Sequence, residues 1–438
     1  MKGRLYPGYM YSKILKYSEI TIKILVDRSI TSIMDKTPLD GIRVLDFTQA
    51  MAGPIATMLL GDLGAEIIKI EPVNGDQTRN WAPPYINGMS AYYLSANRNK
   101  KSLAVDLKSD DGKKIVKKLL ETTDVVIENF RPGTMGKMGF SYEEVSKMKD
   151  DIIYCSLSGY GQTGPGKHWP GYDLTVLANS GLMSINGEEG RPPLKFGVPI
   201  ADITAGLFSD IAILSALYER TVSGKGQYLD TSMLDSNFQV LTYQAFNYFA
   251  TGRNPKKLGS AHSSIAPYQV FEASDGYIAI TVGTEKLWAK FVEVIGRQDL
   301  AEKPEFRTNV ERVANRENLA GELNKTFRSY KVTELMGILM DAGIPAAPIN
   351  SVGDAIESPQ IKAREMVTEM EAPYGQIKMI GSPFKMSRTP CTLRMAPPML
   401  GSDTEDILHS LGYTEREIEL LKNNAVVNSF TDVDDRSR

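Results

Sequence analysis

Cysteine and histidine are scarce in this chain of 438 residues. It contains two cysteines and three histidines, at Cys155, Cys391, His168, His262 and His409. Two cysteines so far apart argue against a disulfide framework, and they have no spacing typical of a zinc site. Three dispersed histidines argue against a metal centre built on imidazoles. We therefore expect no bound metal.

The sequence also lacks an excess of either charge and a long apolar run. Lys and Arg total 50 against 53 Asp and Glu, a formal net charge of −3. Such a balance argues against a general nucleic-acid binder. No stretch approaches the roughly 20 apolar residues that cross a bilayer, so we expect neither nucleic acid nor a membrane as a partner. The length and the 42% hydrophobic content suit roughly two or three globular domains.

Both ends of the chain differ from its middle. Residues 1–37 carry seven Lys or Arg against three Asp or Glu. A mitochondrial targeting peptide is also basic, but it is poor in acids and rich in arginine. We interpret residues 1–37 as an extension of a cytoplasmic protein. The mitochondrial matrix is the alternative location if this extension is a targeting peptide. Residues 428–438 are predicted to form a polar, disordered tail.

Strands and helices alternate in the first half of the chain. Apolar strands are predicted at 42–47, 65–71, 124–127 and 152–155, with helices between them. This pattern predicts a doubly wound, Rossmann-like α/β domain with a parallel sheet, although the glycine fingerprint of dinucleotide-binding proteins is missing. Ligands of such domains bind at the carboxyl ends of the strands. We expect a site where the loops Asp46–Pro54, Glu71–Arg79 and Glu128–Gly133 meet.

The pattern changes in the second half. Residues 268–282 form a predicted hairpin around the turn at Ser274–Gly276, and a helix is predicted from about Leu234 to Tyr248. We therefore predict a large α/β domain that begins at 38–224, a smaller α+β domain at 225–330, and a return to the large domain at 331–427.

Asp173 follows a loop rich in glycine and proline and precedes an apolar run of small residues. An acid there lies at a predicted helix start, where free N–H groups and the helix dipole keep a carboxylate ionised. An ionised carboxylate is suited to nucleophilic catalysis. The alternative is that Asp173 is a helix N-cap and nothing more.

A second candidate is the basic run from Asn97 to Ser102, which has three cations in four residues. Cations among small polar groups are typical of a phosphate-binding segment. The alternative is a solvated basic turn.

Many ordered motifs across 38–427 resemble the class III CoA-transferase family, which includes formyl-CoA transferase, carnitine CoA-transferase and the α-methylacyl-CoA racemases. They include Leu39–Asp46, Ala52–Pro54, Gly61–Glu66, Asn97–Ser102, Glu128–Gly133, Gly159–Pro165, Gly171–Asp173, Gly197–Pro199 with Asp202, and Gly224–Gln227. Residues 78–84 and 261–268 are most similar to the succinate–hydroxymethylglutarate branch of the family. Two positions depart from the pattern. Asp403 stands where a histidine is common, and residues 258–264 replace a glycine-rich loop.

The resemblance implies a CoA-transferase that moves CoA from an acyl-CoA donor, for which we expect succinyl-CoA, to a carboxylic and in particular a dicarboxylic acid. It implies that Asp173 is the nucleophile, that coenzyme A thioesters are substrates, and that no cofactor is bound permanently. The assembly it implies is a homodimer of two interlocked rings. The implied CoA-binding residues are Gln49, Ala50, Met51, Glu71, Pro72, Asn97, Arg98, Lys100, Lys101 and Arg131, and the implied substrate-binding residues are Arg79, His262 and Ser264.

Two alternatives remain open at this stage. An α-methylacyl-CoA racemase would use acid–base chemistry, but racemases carry His-Asp where this chain has Tyr172 and Asp173. A non-catalytic CoA-binding protein would not need Asp173. Individual residues have alternatives too: His262 could act as a base, and Arg79 could form a structural salt bridge.

Overall fold

A computed structural model describes residues 37–429. The predicted extension and tail therefore lie almost entirely outside the described residues. The location in the cell, which depends on the extension, stays a prediction. The chain divides into two compact units, which we describe separately. Within the described residues, the larger unit comprises 37–176, 199–236 and 365–429, and the smaller unit comprises Leu177–Val198 and Asn237–Arg364. The domain boundaries expected from the sequence stay a prediction.

The strands are short, as is usual where both faces of a sheet are covered. In chain order they are β1 (Arg43–Asp46), β2 (Glu66–Glu71), β3 (Tyr85–Ile86), β4 (Met89–Ser90), β5 (Lys100–Val105), β6 (Val125–Glu128), β7 (Ile153–Ser158), β8 (Gln227–Ser232), β9 (Tyr268–Ala273), β10 (Gly276–Thr281), β11 (Ala346–Pro348), β12 (Val367–Met370), β13 (Ile377–Ile380) and β14 (Val427–Asn428).

Most of the helices connect these strands. In chain order they are α1 (Ala52–Asp62), α2 (Ala91–Leu94), α3 (Asp110–Leu120), α4 (Thr134–Met138), α5 (Tyr142–Met148), α6 (Asp173–Ser180), α7 (Leu182–Ile185), α8 (Ile200–Ser223), α9 (Met233–Val240), α10 (Tyr243–Thr251), α11 (Glu285–Val294), α12 (Asp299–Glu302), α13 (Asn309–Ala314), α14 (Arg316–Phe327), α15 (Val332–Asp341), α16 (Val352–Glu357), α17 (Pro359–Ala363), α18 (Thr404–Ser410) and α19 (Glu415–Asn423). Short 3₁₀ turns lie at Gln77–Asn80 and Pro304–Phe306.

The larger unit is built on a seven-stranded sheet in the order β14-β5-β2-β1-β6-β7-β8. All neighbouring strands run parallel except the edge strand β14. Alternate residues of one strand enter different cores: Leu45 packs with helices α3 to α5, whereas Val44 packs with α1 and α8. Both faces of the sheet are therefore covered by helices. The predicted α/β fold with a parallel sheet is confirmed.

The strand order contains a reversal that matters for function. From β1 the chain adds β2 and β5 on one side, and then β6, β7 and β8 on the other side. The connections that follow β1 and β6 therefore lead to helices on opposite faces of the sheet, and a crevice lies between them at its carboxyl edge. Open α/β sheets bind ligands at this point of reversal.

The smaller unit has a three-stranded antiparallel sheet in the order β11-β10-β9. Phe271 and Ile278 of the hairpin pack into an apolar core with helices α11 to α15. The predicted hairpin is confirmed. The prediction of one continuous helix from Leu234 to Tyr248 is wrong. The segment forms two helices, α9 and α10, which are interrupted where Thr242 adopts φ 45°. A β-branched residue at positive φ interrupts helical geometry.

Candidate active site

The loops that follow β1 and β6 are tied together at the point of strand reversal. The N–H of Gln49 donates to Oδ1 of Asn129 at 2.8 Å, and Nδ2 of Asn129 donates to the carbonyl of Gln49 at 2.8 Å. Ala50 has φ 65°, a left-handed conformation that few residues with a Cβ adopt. Strained backbone of this kind is concentrated at ligand sites. The predicted CoA residues Gln49, Ala50 and Met51 therefore lie where this fold class binds ligands, and the exposed Arg131 follows β6 on the facing loop.

The basic run at Asn97–Ser102 is not a solvated turn, because most of it is buried. Arg98 makes a two-pronged ion pair with Asp62, with N–O distances of 2.9 and 2.6 Å. Nδ2 of Asn97 donates to the carbonyl of Tyr93. Lys100 is 1% exposed, and its ammonium donates to Asp46, Pro54 and Asn97. A phosphate contact by Arg98 or Lys100 would require these bonds to break.

Lys101 lies at the other edge of the sheet from the loops just described. It is the second residue of β5, and its ammonium donates to Oε1 of Glu66 at the start of β2. The amino ends of β2 and β5 are adjacent because the two strands are parallel. Of the three predicted phosphate ligands Arg98, Lys100 and Lys101, Lys101 is the one with substantial exposed surface, and its role stays a prediction, as does CoA binding by the exposed Arg131.

Arg79 is engaged by the protein itself. Its guanidinium donates to both carboxylate oxygens of Glu71 at 2.8 and 2.7 Å, to the hydroxyl of Tyr93 and to the carbonyl of Pro398. Glu71 at the end of β2 is buried, and the positive charge of Arg79 lowers its pKa against the effect of burial. Arg79 therefore forms a structural salt bridge, and that bridge is buried rather than exposed. Pro72, the next predicted CoA residue, is exposed.

Two carboxylates meet at the start of helix α8. Asp173 is the first residue of α6, and its Oδ1 accepts a hydrogen bond from the N–H of Ala201 at 2.8 Å. Helix α8 has Pro199 at its N-cap and no cap from its own side chains, so Asp173 supplies the cap. Asp202 directly follows Ala201 in the chain. Burial and repulsion by Asp173 raise the pKa of Asp202 to about 7.

Asp202 differs from Asp173 in its bonding. Within residues 37–429, no hydrogen-bond donor pairs with the carboxylate of Asp202. Gly206 lies one turn further along the same face of α8. A Cβ at Gly206 would lie 2.7 Å from the carbonyl oxygen of Ala52, so α8 packs closely on the start of α1. Asp202 therefore lies one helical turn before the point at which α8 packs on the start of α1.

An aromatic pair belongs to the same region. Burial raises the pKa of Tyr92 to about 12, and the negative charges of Asp202 and Asp173 contribute to that shift. Trp81 packs its ring edge-on against Tyr92, with ring centroids 5.0 Å apart. A protonated phenol close to two carboxylates is a hydrogen-bond donor for an oxyanion or for a substrate carboxyl group.

His262 and Ser264 belong to the smaller unit. The imidazole of His262 is stacked between the rings of Tyr243 and Tyr268, at centroid distances of 5.3 and 5.2 Å. Its Nδ1 accepts from the N–H of Ser264 at 3.0 Å, so a neutral imidazole carries its proton on Nε2. Arg316 donates to the carbonyl of His262. The arrangement favours a hydrogen-bond donor over a base, and the substrate-binding role of both residues stays a prediction.

Comparison with known proteins places this site in a family. The sequence profile of CoA-transferase family III matches residues 39–404. The chain belongs to this family. Mouse succinyl-CoA:glutarate CoA-transferase is 42% identical over 393 residues, which cover 89% of this chain and 90% of the mouse protein. A succinate–glutarate CoA-transferase of Agrobacterium fabrum is 38% identical over 389 residues, 87% of this chain and 97% of the relative.

The fold is shared as well. The crystal structure of a CAIB/BAIF family protein from Brucella suis superposes with a TM-score of 0.78 at 40% identity and covers 86% of this chain and 100% of that one. The predicted family is thus confirmed, and with it the assignment as a class III CoA-transferase. Both named relatives are transferases, which gives the racemase alternative no support.

Reasoning from the sequence did not single out Asp202 or Tyr92 as candidate site residues. Asp202 was noted only as part of a motif that follows Gly197–Pro199. The available signal was its place in the first turn of a long apolar helix, where an acid meets the positive end of the dipole. Nothing in the sequence indicates that Asp173 and Asp202, 29 residues apart, face each other.

Proposed function

We propose that this protein exchanges CoA between dicarboxylic acids, with succinyl-CoA as a donor and a short dicarboxylic acid such as glutarate as an acceptor. The carboxylate pair Asp173–Asp202 is the observation that carries the proposal. Family membership supplies the reaction type, and the names of the mouse and Agrobacterium relatives support the substrate class.

The chemistry requires a nucleophilic carboxylate. Its oxygen attacks the thioester carbonyl, the C–S bond breaks, and an acyl–aspartyl anhydride and CoA thiolate result. The thiolate then attacks the aspartyl carbonyl of the anhydride, which releases the first acid and leaves an aspartyl–CoA thioester. The acceptor carboxylate repeats these two steps in reverse. Each step exchanges acyl groups of similar activation, so atoms and charge balance without an added energy source.

We propose Asp173 as the attacking carboxylate, as the family resemblance implies. Its Oδ1 accepts the hydrogen bond of Ala201, which fixes the carboxylate at the start of α8. Asp202 is the neighbouring acid, and burial together with the charge of Asp173 raises its pKa to about 7. Asp202 is the alternative nucleophile, because within residues 37–429 no hydrogen-bond donor pairs with its carboxylate.

Tyr92 fits a supporting role in this scheme. The tetrahedral intermediates of both half-reactions carry an oxyanion, and donors aimed at that oxygen stabilise the transition state. The phenol of Tyr92 lies close enough to both carboxylates for their charges to raise its pKa.

We propose the crevice between the β1 and β6 loops as the CoA site. Gln49, Ala50 and Met51 supply backbone on one side, and Arg131 supplies an exposed cation on the other. The end of β2, with Glu71 and Pro72, borders the same carboxyl edge. The close packing of α8 on α1 brings the first turns of α8 near the end of the Gln49–Met51 loop.

Assembly as a homodimer of interlocked rings is part of the proposal. Helix α8 has a stripe of apolar side chains on the face away from the sheet, with Tyr218 75% and Val222 79% exposed in the isolated chain. Leu207 and Ile211 continue the stripe at helical spacing. A contiguous apolar stripe of this kind is typical of a surface covered by another protein chain.

Incubation of the purified protein with succinyl-CoA and glutarate tests the function. We expect glutaryl-CoA and free succinate to form in equal amounts. Liquid chromatography with mass spectrometry measures both products. Omitting glutarate should leave succinyl-CoA intact apart from slow hydrolysis. Transfer to none of a panel of dicarboxylates, together with deuterium uptake at the α-carbon of a 2-methylacyl-CoA, would establish the racemase instead.

A further inference from the structure

Two buried lysines lie beneath the loop that joins β1 to α1. Nζ of Lys69 donates to the carbonyl of Thr48 at 2.7 Å, and Nζ of Lys100 donates to the carbonyl of Pro54 at 3.0 Å. Both side chains are 0% exposed. The two ammonium groups therefore bind the backbone at the two ends of the loop Thr48–Pro54, which contains Gln49, Ala50 and Met51.

Asp46 connects these cations to the loop. Its Oδ1 accepts from the N–H of Thr48 at 2.8 Å, and its Oδ2 accepts from the hydroxyl of Thr57 at 2.7 Å and from Lys100 at 3.2 Å. Because Ala50 is held at positive φ, the loop needs surrounding contacts to keep this conformation. Lys100 bridges the end of β1 and the first turn of α1 through Asp46 and the carbonyl of Pro54.

We propose that Lys100 is a positioning residue, which holds the loop Thr48–Pro54 in its CoA-binding conformation without touching CoA. This inference rests on the proposed CoA site and changes the role that the sequence suggested for Lys100 from phosphate contact to support of the loop. The ammonium contacts carboxylate, carbonyl and amide oxygens of the protein, which leaves no path to a phosphate.

The charges around Lys100 make the effect dependent on pH. Burial lowers the pKa of Lys100 to about 8. The charge of Lys69 also lowers this pKa, whereas the charge of Asp46 raises it. Asp76 also faces the pair and raises both pKa values. Lys69 keeps its proton, because the charges of Asp76, Asp46 and Glu71 raise its pKa. Between pH 7 and 9.5, therefore, Lys100 loses its charge and its ion pair with Asp46 while Lys69 remains charged.

The first experiment uses the wild-type protein. We expect the KM for succinyl-CoA to rise as the pH increases through about 8, while the KM for the acceptor acid changes little. The second uses Lys100→Met, in which the ion pair is absent at every pH. Loss of hydrogen bonds from a charged donor should raise its KM for succinyl-CoA about ten- to a hundredfold at pH 7. The pH dependence between 7 and 9.5 should also disappear. Lys100→Arg should restore part of the affinity at pH 7.

Lys114→Met is the matched control, because Lys114 pairs with Asp111 on the exposed face of α3. It should retain the wild-type KM and pH profile. A flat wild-type KM up to pH 9.5, or an unchanged KM in a folded Lys100→Met protein, would overturn the inference. If that variant does not fold, the wild-type profile alone decides. Failure of the proposed function is distinct, because the wild-type protein would then neither transfer nor bind CoA.

Discussion

The N–H of Ala201 donates a hydrogen bond of 2.8 Å to the carboxylate of Asp173. The bond fastens the start of α6 to the start of α8 and brings a second acid, Asp202, beside the first. Burial raises the pKa of Asp202 to about 7, and the like charge of Asp173 adds to the effect. Pairs of acids whose environments differ are a common way to obtain one carboxylate with altered reactivity.

We predict that Asp173→Asn loses CoA transfer by several orders of magnitude, because an amide cannot form the anhydride. The variant should still fold, because its amide oxygen can accept the hydrogen bond of Ala201. Asp202→Asn should keep measurable activity, because Asp173 remains available for attack. Turnover of succinyl-CoA with glutarate measures both effects. Incubation with succinyl-CoA and hydroxylamine, followed by peptide mapping, should modify Asp173.

Asp111→Asn, an exposed acid on α3, provides the control for these two variants. The reverse result, an inactive Asp202→Asn protein with modification at Asp202 and an active Asp173→Asn protein, would assign the attack to Asp202 instead. In either case the modified residue identifies the attacking carboxylate.

The raised pKa of Asp202 predicts how activity changes with pH. Asp202, with a pKa of about 7, is protonated below that pH and charged above it. Attack removes the charge of Asp173 and so relieves its repulsion by an ionised Asp202, and we therefore expect kcat/KM to increase between about pH 6 and pH 8. Asp173→Asn removes a repulsive charge, so the titration of Asp202, followed by carbon NMR, should have its inflection at lower pH. An inflection that stays in place would show that Asp173 does not act on the titrating group.

The sequence predicted the sheet well because hydrophobic alternation reports burial directly. The parallel arrangement of the strands followed from βα alternation, and so did the site at the loops Asp46–Pro54 and Glu128–Gly133. Charged residues were harder to interpret. Arg98 and Lys100 lie in a polar run that looks solvated, and their partners Asp62 and Asp46 are 36 and 54 residues away. Only the tertiary structure reveals such pairs, because a buried cation and a solvated one have the same local sequence.

The hydrogen bonds between Gln49 and Asn129 give a prediction about CoA affinity. Asn129→Ala removes both bonds, each of which contributes about 1 kcal/mol to the position of the loop. The KM for succinyl-CoA should rise about tenfold or more, while the KM for the acceptor serves as an internal control. An equal rise in both KM values would mean that the loops support the whole site and not CoA alone.

Arg98 should contribute to stability and not to CoA binding. Arg98→Met leaves the buried carboxylate of Asp62 with Asn99 as its remaining side-chain donor. Removing one partner of a buried ion pair typically costs about 3–5 kcal/mol. Urea denaturation should show this loss, and the KM for succinyl-CoA of the folded variant should be unchanged. A large rise in that KM with unaltered stability would restore Arg98 as a phosphate ligand.

The interlocked dimer makes a prediction about kinetics. Two threaded rings cannot separate unless part of one chain unfolds, so subunit exchange should be far slower than in dimers that associate through flat faces. Mixing two dimer populations with different tags and following mixed dimers by native mass spectrometry measures the exchange. We expect almost no mixed species after hours at 25 °C and rapid mixing once denaturant partly unfolds the chains. Tyr218→Lys places a charge in the apolar stripe of α8 and should weaken assembly if that stripe is covered by the partner. Complete exchange within minutes, or a folded monomer on dilution, would exclude the interlock and leave the chemistry of Asp173 and Asp202 unaffected.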